Sequence, residues 1–176
     1  RTGGKKKNPT ARPGSFLLMS MEMDERYMRE ALREAGYAAD EDEVPIGAVI
    51  VCKGRIIGKG HNMTERLNDP TAHAEMIAIT AATEAMGGKY LNECTLYVTV
   101  EPCPMCAGAF VQARIPRVVA GCMNPKAGCA GSILNLLQME EFNHQVELEI
   151  GVLGEECSNM MTSFFKELRE KKRQEH

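Results

Sequence analysis

The stretch Thr95-Leu96-Tyr97-Val98-Thr99-Val100-Glu101-Pro102-Cys103-Pro104-Met105-Cys106-Ala107-Gly108-Ala109 decides the fold. Thr95 to Val100 is mostly β-branched and aromatic, the composition of a strand. Pro102 and Pro104 punctuate the next segment, and Met105 to Ala113 then reads as a helix. A strand that runs through a short loop into a helix is the building unit of an α/β domain.

The same alternation extends outward. Upstream, Ala72 to Met86 is rich in Ala, Met and Ile, and Gly87-Gly88 ends it as a helix would end. The polar run His61 to Thr71 leads into it through Asp69-Pro70-Thr71, a turn. Ile46 to Cys52 and Arg55 to Gly60 are strands joined by Lys53-Gly54, a hairpin signal. Asp24 to Ala39 carries Met28, Ala31, Leu32 and Ala35 at helical spacing, with Asp24 as candidate N-cap. Downstream, Arg117 to Ala120 is a strand, Ser132 to Gln138 a short helix, and Val146 to Val152 a last strand. From Gly154 onward the pattern is a long helix with Cys157, Met160, Met161, Phe164, Phe165 and Leu168 on its apolar stripe. No internal repeat interrupts this order. It predicts one α/β domain, residues 23–176, with helices on both faces of a mixed five-stranded sheet, a three-layer α/β/α sandwich.

Residues 1–22 combine Gly, Pro, Lys and Ser without periodicity. They read as a disordered basic tail or an upstream remnant outside the domain, whose one conceivable task is to help hold an anionic partner.

Composition narrows the class. The chain has 176 residues, 44% apolar and 26% charged, which suits a globular domain and excludes collagen-like or wholly disordered chains. Its apolar runs, such as Val44 to Cys52, fall far short of the ~20 residues of a membrane span. A soluble, cytoplasmic protein without membrane contact is expected. The net charge of −3 divides into +4 over residues 1–23 and −7 over the remainder, an acidic body that matches nucleic acid poorly as a whole. The far C-terminus is locally basic, with Lys166, Arg169, Lys171, Lys172 and Arg173. Seven cysteines, an odd number without a secretion signal, point to metal or core cysteines in a reducing compartment.

Two segments carry the chemistry. His73-Ala74-Glu75 opens one expected helix, and Pro102-Cys103-Pro104-Met105-Cys106 opens another. A helix N-terminus favours thiolate over thiol through its dipole and free N–H groups. Two thiolates and an imidazole form a borderline-soft set suited to zinc, and three protein ligands leave the fourth position to water. Such a centre is formally neutral and pulls weakly on the water's proton, so a base beside it matters, and Glu75 is the candidate. Alone, Cys-x-x-Cys also fits a redox pair or half of a structural zinc site, and His-x-Glu is a weak signal. Cys94, Cys122 and Cys129 have no assigned role, and one of them could close the site.

His-x-Glu followed by Pro-Cys-x-x-Cys is the signature of the zinc nucleobase deaminases, the cytidine and deoxycytidylate deaminase superfamily, which the sequence resembles from about Asp24 to Arg173. The resemblance is carried by Glu43 to Val49, Gly60-His61-Asn62, Asp69 to Glu75, Thr95 to Cys103 and Cys106 to Ala109. Pro125-Lys126-Ala127-Gly128-Cys129-Ala130-Gly131-Ser132, Asn143-His144 and Phe164-Phe165-Lys166-x-Leu168-Arg169 are similar to the bacterial tRNA adenosine deaminases in particular.

That resemblance implies a cytidine deaminase-like fold and hydrolysis of the wobble adenosine of a tRNA anticodon to inosine. It implies one zinc per subunit on His73, Cys103 and Cys106, with Glu75 moving protons. Asn62 would hydrogen-bond the flipped base, and Val44 and Pro45 would line the pocket. Asn124, Lys126 and Arg169 would face the anticodon stem-loop, and the chain would form a homodimer. Where these enzymes usually carry aspartate the chain has Asn124, which keeps an acceptor and drops a charge that would repel DNA phosphates; it also suits the turn before Pro125. Two other readings stand beside this one. A free-base deaminase acting on guanine or cytosine would tolerate the acidic body better. A zinc-stabilised RNA-binding module without turnover would have no use for Glu75.

Overall fold

The structure, a computed structural model, describes residues 13–176. Helix α1 (Pro13–Asp40) leads into strands β1 (Gly47–Cys52) and β2 (Arg55–His61), a one-turn helix α2 (Thr64–Leu67) and helix α3 (Ala74–Met86). Strand β3 (Cys94–Val100), helix α4 (Pro104–Gln112), strands β4 (Arg117–Cys122) and β5 (Glu147–Ile150) and helix α5 (Gly154–Gln174) complete the order. The five strands form one mixed sheet in the order β2-β1-β3-β4-β5. β1 is antiparallel to β2 and β3, and β3, β4 and β5 run parallel.

The period-two alternation of strand side chains sorts the core into two layers. Ala48, Ile50, Cys52, Leu96, Val98, Val118 and Ala120 face α3 and α4. Val49, Val51, Tyr97 and Val119 face the other way, onto Tyr27, Met28 and Ala31 of α1 and Cys157 of α5. This is the expected three-layer α/β/α sandwich. The hairpin turn is also as expected: Lys53 and Gly54 both have positive φ, 50° and 75°, the backbone that a two-residue turn matched to strand twist requires.

The strand directions fix where a site can form. β2 and β3 are both antiparallel to β1, so the carboxyl ends of β2, β3 and β4 share one edge of the sheet with the amino end of β1. Asn62 follows β2, Glu101-Pro102-Cys103 follows β3, Asn124 follows β4, and Val44 and Pro45 precede β1. Ligands of open α/β sheets bind outside the carboxyl ends of the strands.

Four expectations are corrected. α1 starts at Pro13 instead of Asp24, because the Leu- and Met-rich stretch before Asp24 sustains the helix; residues 13–22, assigned to the tail, are helical with Phe16, Leu17 and Leu18 exposed. The expectation for residues 1–12 lies outside the described residues. Asp24 is therefore no N-cap. Its buried carboxylate accepts hydrogen bonds from the Tyr97 hydroxyl (2.7 Å) and from both terminal nitrogens of Arg117 (2.9 and 2.7 Å), clamping α1 to β3 and β4. The segment Ser132 to Gln138 is a loop with a single 3₁₀ turn at Leu136–Gln138, since Ser132 bonds Glu101 and Ala130 bridges to Asn135. The last strand shortens to Glu147–Ile150.

Burial opposes the charge on Asp24, but the Arg117 and Tyr97 hydrogen bonds outweigh it and hold the carboxyl below its usual range. The stabilisation is thus fully present above the unfolded-state value and is lost as the pH falls through the lower folded value. Asp24→Ala, which leaves Arg117 and Tyr97 without their acceptor, is expected to lower stability by about 3 kcal/mol at neutral pH. Urea denaturation at pH 7 and pH 3 checks this, with the difference between variant and parent smaller at pH 3.

Candidate active site

The site begins with how closely α3 can lie on β2. Gly58 and Gly60 stand two apart on β2, facing the helix, and a side chain at either would overlap the carbonyls of Ala78 and Ala74. With hydrogen in place of Cβ, the start of α3 settles onto the sheet edge. His73 is the N-cap of α3 and Cys103 the N-cap of α4, both in extended backbone, so the two helix N-termini present their caps to one point.

At that point His73 Nδ1 lies 3.6 Å from the Sγ of Cys103 and 3.6 Å from the Sγ of Cys106. All three donor atoms fall within 4.8 Å of one another, and among the described residues no other cysteine joins them. The Cys106 thiol donates to Cys103 and pushes its thiol down to about 4 against burial, with His73 assisting. Cys106 is raised in return by the Cys103 sulfur and by burial, and the hydrogen bond with Cys103 raises His73. Two sulfurs and an imidazole nitrogen crowded at this spacing fit a borderline-soft divalent cation.

Glu75 is 3% exposed, within hydrogen-bond reach of the Cys106 thiol, and burial pushes its carboxyl up to about 7. A regular helix would turn residue 75 away from residue 73. Here His73 is the non-helical cap, and the two side chains are close enough for the charge of each to act on the other.

The remaining expected residues divide into two groups. Val44, Asn124, Lys126 and Arg169 line one groove of about 720 Å³ together with Ile46, Val100, Met161 and Phe165. Among the described residues no carboxylate side chain lines it. Asn62 and Pro45 do not line that groove; both are buried. Asn62 donates through Nδ2 to Glu43 (3.4 Å). Asn124 spends its main chain in a turn, its carbonyl accepting from Gly128 N at 2.7 Å. The apolar stripe of α5 is shared between surfaces: Met161 and Phe165 belong to this groove, Met160 and Phe164 to a smaller one against the end of α1.

Two buried carboxylates escaped the sequence reading as site residues. Glu43 accepts from Asn62, Thr64 Oγ1 (3.4 Å), Glu65 N (3.3 Å) and Arg66 N (2.7 Å) and so fixes α2 behind Asn62. Glu101 accepts from Asn124 N (2.9 Å), Ala130 N (3.2 Å), Ser132 N (2.9 Å) and Ser132 Oγ (2.5 Å). Burial works against its charge, yet these bonds, led by Ser132, hold it below its ordinary value. The sequence signal was weak: an acid inside an apolar-flanked motif, whose partners lie 23 to 31 residues away. His61 packs between Glu34 (Nδ1, 3.1 Å) and Glu41 (Nε2, 3.4 Å), and His144 meets the Ile115 carbonyl at 2.8 Å; neither reaches the cluster.

Known proteins resemble the chain in sequence and in fold. The profile of the MafB19-like deaminases matches residues 22–169. The tRNA-specific adenosine deaminase of Bacillus subtilis (strain 168) is 54% identical over 153 residues, 87% of this chain and 95% of that protein. A structure from a study of A-to-I editing by tRNA:A34 deaminases at the wobble position superposes with a TM-score of 0.74 at 42% identity, over 77% of this chain and 98% of that one. The guanine deaminase of Nitrosomonas europaea superposes with a TM-score of 0.70 over 93% of this chain and 98% of its own, but at 17% identity it shares the fold alone.

Gly60→Ala is expected to lift the first turn of α3 off the sheet, lowering stability by about 1–3 kcal/mol, as overpacked cores do. It should also weaken metal binding, because His73 moves relative to the cysteines. Titration with Co²⁺, followed by its thiolate absorption, should show the weakened site, while Gly88→Ala, in open space, binds like the parent.

Proposed function

The chain belongs to the MafB19-like deaminase family and, within it, to the tRNA-specific adenosine deaminases, and on that footing we propose that it hydrolyses the wobble adenosine of a tRNA anticodon to inosine through a zinc centre on His73, Cys103 and Cys106. The observation that carries the reading is the convergence of one imidazole nitrogen and two sulfurs within 4.8 Å, with the buried carboxylate of Glu75 beside them. A structural site has no use for that carboxylate. Zinc bound there supplies Lewis-acid activation of a water molecule.

The chain's own residues do the rest. The anticodon loop offers an unpaired adenine that is cheaply unstacked. Asn62, held from behind by Glu43, bonds the extruded base, and Val44 shapes the entrance with the buried Pro45 fixing the backbone behind it. Glu75 removes the proton of the attacking water and delivers it to ring N1 as the C6–O bond forms. It then moves a proton to the amine; the C6–N bond breaks, C6 becomes a carbonyl, and ammonia leaves. Water and adenine thus give hypoxanthine and ammonia, with no oxidant or reductant.

Lys126 and Arg169 meet the RNA backbone across the groove, and Asn124 leaves that groove without a carboxylate. The chain acts as a homodimer; exposed Ile133, Leu134 and Phe142 in the β4–β5 connection supply apolar surface that a second copy would cover. No described helix is long and apolar enough to cross a membrane, and a tRNA substrate places the enzyme in the cytoplasm.

The deciding experiment offers an anticodon stem-loop, free guanine and free cytosine to the zinc-loaded protein and measures ammonia and inosine. Product from the stem-loop alone is expected; turnover of guanine or cytosine alone would reassign the substrate. Glu75→Gln should retain fold and zinc and lose at least about a hundredfold in kcat, because the amide cannot accept the proton. Cys103→Ser and Cys106→Ser should each fall well below the parent's one zinc per subunit on elemental analysis, with lower melting temperatures.

A further inference from the structure

Building on the reading of Lys126 as an RNA contact, we propose that Glu101 is a positioning residue that holds the RNA-facing loop 123–132 at a fixed distance from the metal centre. Glu101-Pro102-Cys103 serves both sides. Its main chain runs directly into Cys103, the cap of α4 and a metal ligand. Its first amide donates to the Cys122 carbonyl (2.8 Å), where the loop begins, and the Pro102 carbonyl accepts from Cys129 N (2.8 Å).

The Glu101 side chain then reaches through the loop. Oε2 takes Asn124 N and the Ser132 hydroxyl, and Oε1 takes Ala130 N and Ser132 N, so both ends of the loop close on one carboxylate. Four donors require a group that only accepts; an amide would turn its own N–H bonds against them. Among the described residues no lysine or arginine pairs with Glu101, so its charge is met by loop donors alone. Gly128 completes the fit, since any Cβ there would overlap the carboxylate. Lys126 sits inside this clamp, between Asn124 and Gly128, whose hydrogen bond closes the turn around it.

The clamp has a functional reason. A nucleotide's phosphates stay outside while its base enters the site, and the sugar sets the span between them. A loop that grips phosphate must therefore keep its distance from the metal ligands, or the base and the backbone are not held together.

A double-mutant cycle of Glu101→Gln and Lys126→Ala in the zinc-loaded full chain tests this, with KM, kcat, zinc content and the salt dependence of stem-loop binding as readouts. Glu101→Gln is expected to raise KM about tenfold at unchanged zinc content and to reduce the slope of log K against log salt by about one, the loss of one phosphate contact. Lys126→Ala should raise KM severalfold in the parent and by less than about twofold in the Glu101→Gln background. Equal penalties in both backgrounds would overturn the inference, as would a Glu101→Gln variant that loses only kcat, the mark of a merely structural role. If Lys126→Ala changes nothing in the parent, the assignment of Lys126 to RNA fails, and this inference with it. Should Glu101→Gln not fold, Gly128→Ala, which forces the loop off the intact carboxylate, carries the same cycle.

Discussion

Two helix N-termini meet so closely that the donor atoms of His73, Cys103 and Cys106 lie within 4.8 Å of one another, and the strand order and the glycines of the sheet make that approach possible. α3 and α4 start from different strands, β2 and β3, that are not neighbours in the sheet. They converge because β1 lies antiparallel between those strands and brings their carboxyl ends to the same edge. The glycines of β2 then let α3 approach until its backbone touches the strand, and Pro104 starts α4 one residue after Cys103. The clamp of Asp24 on Tyr97 and Arg117 secures α1 across the opposite face, so the edge that carries His73, Cys103 and Cys106 rests on a sheet tied down from behind.

Much of this is legible in the sequence, because it is written in short-range chemistry. Lys53-Gly54 demands a tight hairpin, Gly87 ends α3, and the strand-to-helix switch at Glu101 to Pro104 announces itself by its prolines. The Cys-x-x-Cys pair is local too, and His73 with Glu75 is recognisable once paired with it. What the sequence hides is long-range or context-dependent. Asp24 looks like a cap because acids before apolar-periodic runs usually are; only the fold reveals that Arg117, 93 residues away, claims it. Ser132 to Gln138 has the composition of a short helix, yet the Glu101 carboxylate captures Ser132 before a helical turn can form. Glu43 and Glu101 are invisible as site residues for the same reason. Their donors are mostly backbone amides, which leave no trace in residue types.

The buried carboxylates also resolve the mismatch between an acidic chain and an anionic substrate. Net charge counts every acid alike, but a field at the surface does not. Asp24, Glu43, Glu75 and Glu101 are each buried, and none presents its charge to the groove. Asp24 is neutralised by Arg117, while Glu43 and Glu101 are enclosed by amide and hydroxyl donors. Other acids pair at the surface away from the site, Glu30 with Arg33 and Lys59, and Glu41 with Arg66. The groove that gathers the ends of β3 and β4 with α5 is lined by Lys126 and Arg169 and by no carboxylate. The position where an aspartate would have placed one is Asn124. On the proposed reading, an RNA strand approaching this edge meets two cations over largely apolar walls, and acids displayed elsewhere on the surface are screened by salt within about 8–10 Å. Local arrangement, and not the sign of the total, decides which polymer the site can hold.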